Sequence, residues 1–159
     1  MFDVDNPQAV EYAEQSFELA KQLGDSAAIV RAGRQYGQLL RRVDRLEDAI
    51  AIFVEVLGIS ERNNVVAETK RVLNALALAY NYKALYDKAL DLNFKSLEIR
   101  EREGDKSEIS AARNNIGLVY YKMGNIEQAL DFFKQAIQAK IDSKNSTQSR
   151  DLYQCRSRL

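Results

Sequence analysis

Side-chain size in this chain recurs at every fortieth position. Gly37, Ala77 and Gly117 form one small column, and Ala9, Ala49, Ala89 and Ala129 form a second. Large apolar residues keep the same interval in four more columns. These are Val10, Ile50, Leu90 and Leu130; Phe17, Leu57, Leu97 and Ile137; Leu40, Tyr80 and Tyr120; and Tyr36, Leu76 and Ile116. A fixed period of this length marks an array of like units, each unable to bury its apolar face alone. The period therefore restricts the chain to architectures in which successive units stack.

Each unit holds two helical patterns. Ile109, Ala112, Ile116, Val119, Tyr120 and Met123 follow the i, i+3, i+4, i+7 spacing of one apolar stripe, and Ile126, Ala129, Leu130, Phe133, Ala136 and Ile137 follow it again. Boundary residues separate them. Gly124-Asn125 ends one helix and starts the next, with Gln128 in the capping-box place; Gly104-Asp105 does the same with Glu108. Gly24-Asp25 repeats the signal, Asn64 takes the Gly104 place, and Asp5 with Gln8 extends the register to the start. The pattern predicts helices at 7–23, 26–43, 46–63, 65–83, 86–103, 106–123 and 126–143, with an eighth beginning near 147. Connections this short make neighbouring helices antiparallel. Gly117 sits inside a helix, where glycine costs about 1 kcal/mol relative to alanine. Close approach of the paired helix offsets that cost, and the register puts Ala129 opposite.

Composition removes several classes of function. The 159 residues, 46% hydrophobic and 29% charged, suit a soluble domain with a substantial core. Lys+Arg and Asp+Glu both total 23, so net charge points to neither nucleic acid nor an anionic membrane. No apolar run approaches the length of a membrane span, and the first twenty residues show no signal-peptide pattern. The cytoplasm is the expected compartment. Histidine is absent and Cys155 is the one cysteine, which removes the commonest general base, the commonest metal ligand and any internal disulfide. There is no nucleophile elbow and no glycine-rich phosphate loop. Carboxylates such as Glu47, Asp48 and Glu55 read as solvated helix faces, and Cys155 as a free thiol in a polar tail. The chain is expected to be no enzyme and to need no cofactor or metal.

The unit Ile116-Gly117…Tyr120…Gly124…Ile126…Ala129…Phe133…Ala136 resembles a tetratricopeptide repeat. Leu76-Ala77…Tyr80…Tyr86…Ala89 and Gly37…Leu40…Leu46…Ala49…Phe53 are weaker copies. The usual first-helix tryptophan is replaced by Gly33, Leu73 and Arg113, and the usual terminal proline is missing. The longer period adds about one and a half helical turns per unit. The resemblance implies an all-α, right-handed solenoid of antiparallel helix pairs forming one domain over 1–159. Its parts are a leading second helix (7–23), three repeats (26–63, 65–103 and 106–143) and the start of a further first helix (147–159). Ser157 falls on the Gly117 column, with Arg156 replacing the expected apolar residue. Neither end reads as a capping repeat, so the chain is expected to be a segment of a longer protein. Long repeats of this kind resemble those of bacterial sensor kinases and other signalling regulators, and of animal adaptors that hold extended peptides.

The resemblance also implies a concave wall lined by first helices. Repeat one places Arg31, Arg34, Gln38, Arg41 and Arg42 there; repeat two places Arg71, Asn74, Leu78, Asn81 and Tyr82. Repeat three places Ala111, Asn114, Leu118, Tyr121 and Lys122. First helices are net basic and second helices net acidic. Arginine forks bind carboxylates, asparagine serves an extended backbone, and leucine and tyrosine take apolar anchors. The expected function is recognition of an acidic, partly apolar peptide or protein segment by a scaffold within a signalling regulator, with no nucleic-acid or membrane partner. Reversing Arg34 and Arg41 is expected to abolish binding without lowering the melting temperature. The alternative is a dimerisation or spacer module in which a homodimer forms through the open solenoid ends.

Overall fold

The computed structural model describes the backbone of residues 7–156 and the side chains of residues 8–145. The expected cap at Asp5 and the side chains of Cys155, Arg156 and Ser157 lie outside the described residues. Seven helices and no strand occur among the described residues: α1 (Pro7–Leu23), α2 (Ser26–Arg42), α3 (Leu46–Arg62), α4 (Val66–Tyr82), α5 (Tyr86–Glu103), α6 (Lys106–Lys122) and α7 (Ile126–Arg156). The fold is an all-α helical repeat.

The turns explain the spacing. Residues 24, 44, 64, 84, 104 and 124 all have positive φ, one every twenty residues. Glycine fills three of these places at no steric cost, while Asp44, Asn64 and Ala84 adopt φ of 62°, 54° and 57°. Asp25 and Asp105 cap the helices that follow. Asp25 accepts from the Ala27 and Ala28 amides, and Asp105 from the Ser107 and Glu108 amides.

The twenty-residue rhythm ends at α7. Residue 144 is a lysine, and Lys144-Asn145 stands where Gly104-Asp105 stands one repeat earlier. Instead of ending at 143 and restarting near 147 as expected, α7 continues for 31 residues to Arg156. Lysine is a good helix former and a poor left-handed residue, and the helix runs on through this position.

The helices group into two compact units, 1–92 and 93–159, with α5 running from one into the other. In the first unit α2 packs on α1, α3 on α2, and α4 on both α2 and α3. Its core joins Phe17, Val30, Leu40, Phe53, Val56, Val72, Leu76 and Ala79, each large apolar side chain worth about 1.5–3 kcal/mol on full burial. Two glycines admit this packing. A Cβ on Gly37 would lie 2.5 Å from Phe53 Cε1, and one on Gly33 would meet Val56 and Phe17. In the second unit α6 packs on α7, and a Cβ on Gly117 would lie 2.7 Å from Phe133 Cε1. The expected partner Ala129 also lies opposite, its carbonyl oxygen 3.2 Å from that Cβ. The space left by the glycine admits the Phe133 ring as well as the close approach of the α7 backbone. Phe132 stacks on Tyr120 and meets Phe94 edge-on in the same unit.

Candidate functional site

In the first unit, α2 and α4 are the first helices of successive repeats and lie side by side. Helical spacing brings Arg31, Arg34, Gln38 and Arg41 of α2 to the same side as Glu68 and Arg71 of α4. Three arginines meet one carboxylate there. Arg71 Nη1 donates to Glu68 Oε1 at 2.8 Å, Arg34 Nε donates to Glu68 Oε2 at 3.3 Å, and Arg31 Nε lies 3.7 Å from Oε1. The Glu68 side chain is 4% exposed, Arg34 15%, and Arg31 and Arg71 about 60%. Arg34 Nη1 also reaches Gln38 Oε1 at 3.5 Å. A buried carboxylate needs partners, and the ring of guanidinium groups supplies them.

Glu68 stands within the expected basic face and pairs with three of its arginines. It comes from the next first helix, 34 residues from Arg34. Its effect is to fix Arg34 in place and to leave Arg31 and Arg71 with their outer edges in solvent. Reversing Arg34 would set two carboxylates together in this site, and the Arg34–Glu68 contact leads us to expect a lowered melting temperature from that change.

Further along α4, Leu78 and Tyr82 are 38% and 60% exposed. Arg41 of α2 lies over the Tyr82 ring, 5.4 Å from its centroid, a cation–π arrangement that holds both side chains. Asn74 and Asn81 are half-buried, and Asn81 Oδ1 is buried without a donor.

In the second unit, Asn114 and Leu118 of α6 line an open cleft of about 690 Å³ with Phe133, Ile137 and Lys140 of α7. Ser110 Oγ donates to the Ala136 carbonyl at 2.7 Å, and Lys140 Nζ reaches Ser107 Oγ at 3.2 Å. Tyr121 and Lys122 are exposed but are not among the residues lining the cleft. Sequence reasoning placed Asn114 and Leu118 on a first-helix face and missed the α7 side of this cleft. The apolar stripe of α7 that carries Phe133, Ala136 and Ile137 was its signal.

The shifted titrations lie away from both faces. Burial raises the Tyr36 phenol, and Glu14 adds to the rise. Burial lowers Lys21, but hydrogen bonds and charges from Glu55 and Glu18 outweigh it and hold the amine above its ordinary value. Asp48 raises Arg45. Among the described residues no cluster of carboxylate and cysteine side chains is placed to hold a metal ion, and no helix is long and apolar enough to cross a membrane.

Paired antiparallel helices repeated at one register define an α-helical repeat scaffold, a class built for protein–protein interaction. Residues 68–142 match the family model of the tetratricopeptide repeat. Solved structures share the fold, and three serve as examples. BtubC from P. vanneervenii superposes with a TM-score of 0.72 at 18% identity, over 90% of this chain and 60% of that one. A Rap protein complexed with competence and sporulation factor gives 0.76 at 14% identity, over 86% and 38%. The tetratricopeptide-repeat domain of Arabidopsis FLU gives 0.65 at 23% identity, over 72% and 95%. The chain thus spans 60% and 38% of the first two proteins. Identities this low speak for the fold alone. No curated protein matches the sequence.

Proposed function

We propose that the chain is a non-catalytic scaffold whose first-helix face binds an acidic, partly apolar peptide segment, as the sensing module of a signalling regulator. One observation carries the reading: three guanidinium groups surround a single buried carboxylate, and two of them keep most of their surface in solvent. The excess positive charge sits on the same pair of helices as exposed Leu78 and Tyr82. A peptide carboxylate would take the free edges of Arg31 and Arg71, and an apolar side chain would rest on Leu78 and Tyr82. Gln38, Asn74 and Asn81 would serve the peptide backbone, with Asn81 Oδ1 gaining the donor it lacks. Asn114, Leu118, Tyr121 and Lys122 continue the same columns in repeat three. Because Arg34 and Arg41 are already held by Glu68 and Tyr82, binding would order few side chains beyond the ligand's own, which limits the entropic cost. A Rap protein of the same fold is complexed with competence and sporulation factor, which supports the reading of this fold as a partner-binding scaffold.

The test uses Arg31→Gln with Arg71→Gln, which removes exposed charge and leaves the Arg34–Glu68 pair intact. Fluorescence anisotropy with labelled peptides of mixed acidic and apolar sequence should show affinity falling at least ~10-fold, the scale of one or two charge-assisted hydrogen bonds. The melting temperature should fall modestly, because Arg71 also partners the buried Glu68 carboxylate, and circular dichroism should show the helices kept. Equal affinity of the variant and the native chain for every acidic peptide, or a preference for basic ones, would remove this reading.

A further inference from the structure

We propose that two copies of this chain pair through α7, residues 148–156 of each copy covering the α6/α7 cleft of the other. The internal repeat shows what such a cleft takes. In the first unit, Val30, Phe53 and Val56 are fully buried with α4 packed on α2 and α3. Eighty residues on, the same register positions are Ser110, Phe133 and Ala136, and these line the open cleft. Phe133 is half-buried where Phe53 is fully buried, and Ile137 is 61% exposed where Leu57 is half-buried. The cleft is thus shaped for a first helix.

The chain carries such a helix. Residues 148–156 lie forty positions after residues 108–116 of α6 and eighty after residues 68–76 of α4. Leu152 stands at the Val72 position and Cys155 at the Ala75 position, two places that are buried in α4; Arg156 departs from the Leu76 column. A copy cannot use its own segment, because α7 is continuous to Arg156. At 1.5 Å per residue, residue 148 lies about 12 Å along the axis beyond Lys140, the last residue lining the cleft. The turn that would send the segment back is the one missing at Lys144. Two α7 helices running antiparallel about a two-fold axis solve this, each presenting its C-terminal part to the other's cleft. This is a domain swap with an opened hinge. It stands apart from the peptide reading, since Arg31 and Arg71 take no part in it.

The test is light scattering on the full chain across concentration. The native chain should dimerise. Ile137→Asp and, separately, Leu152→Asp should each raise the dimer dissociation constant about 100-fold, because two-fold symmetry counts each change twice. Circular dichroism checks that helicity is kept, and either variant alone decides if the other misfolds. Lys144→Gly with Asn145→Asp restores the turn residues of Gly104-Asp105 and should give a monomer that has closed its own cleft. A native chain that stays monomeric at every concentration overturns the proposal. So does a dimer indifferent to Leu152→Asp, which would mean pairing without the exchanged segment.

Discussion

At the residue scale the turns show how much backbone conformation is specified locally. Among the described residues six positions adopt a left-handed conformation, and glycine occupies only half of them. Ala84 is the least suited, since a left-handed conformation costs an L-residue with a Cβ roughly 1–2 kcal/mol. Part of that cost would be recovered on replacement by glycine, less the extra freedom glycine gains when unfolded. Ala84→Gly should therefore stabilise the chain by about 0.5–1 kcal/mol, measured as a rise in urea midpoint with unchanged slope. The same substitution at Ala77, inside α4, has no positive φ to relieve and serves as the control.

At the element scale the helices lock where glycine lets a ring approach. Gly37 against Phe53 and Gly117 against Phe133 are the same joint one repeat pair apart. Repeat two carries Ala77 and Asn93 at those two register positions, so small-with-large pairing is not used there. Gly37→Ala would drive a methyl into a fully buried ring and should cost about 1–3 kcal/mol, against a gain of about 1 kcal/mol in helix propensity. A net lowering of the melting temperature is expected.

This element level is where the sequence was most legible. The small columns, the Gly-Asp boundaries and six of the seven helices follow from periodicity and turn chemistry. Two features did not. The Glu68 cluster depends on how closely α2 and α4 approach, and no local pattern encodes the reach of an arginine across a helix crossing. The continuation of α7 depended on giving Lys144 full weight as the residue that breaks the turn column. Instead, the expectation followed the repeat length past a position whose chemistry opposes a stop. The use of the first-helix face is a matter of partner chemistry, which residue spacing alone does not state.

At the scale of the whole molecule the titration behaviour follows from composition and from two sites. With no histidine, no side chain has an ordinary pKa near 6.5, and stability should be nearly flat from about pH 5.5 to 8. Tyr36 and Lys21 both titrate above their unfolded values of 10.0 and 10.5. A raised pKa means the folded state holds its proton more tightly. Their contribution is therefore fully present below about pH 10 and is lost as pH climbs through the folded values. Melting curves should fall on the alkaline side, and Tyr36→Phe should shallow that fall. An unchanged alkaline limb in the variant would assign it to other groups.

The even placement of left-handed turns has a consequence for how such a chain can change in length. An α-helix advances about 100° per residue, so losing one residue within a helix would swing every later side chain off its column. Removing or doubling a complete forty-residue block would leave every column in phase. Viable length variation in this molecule is therefore quantised: whole repeats can come and go, while a single-codon slip behaves like a frameshift in three dimensions.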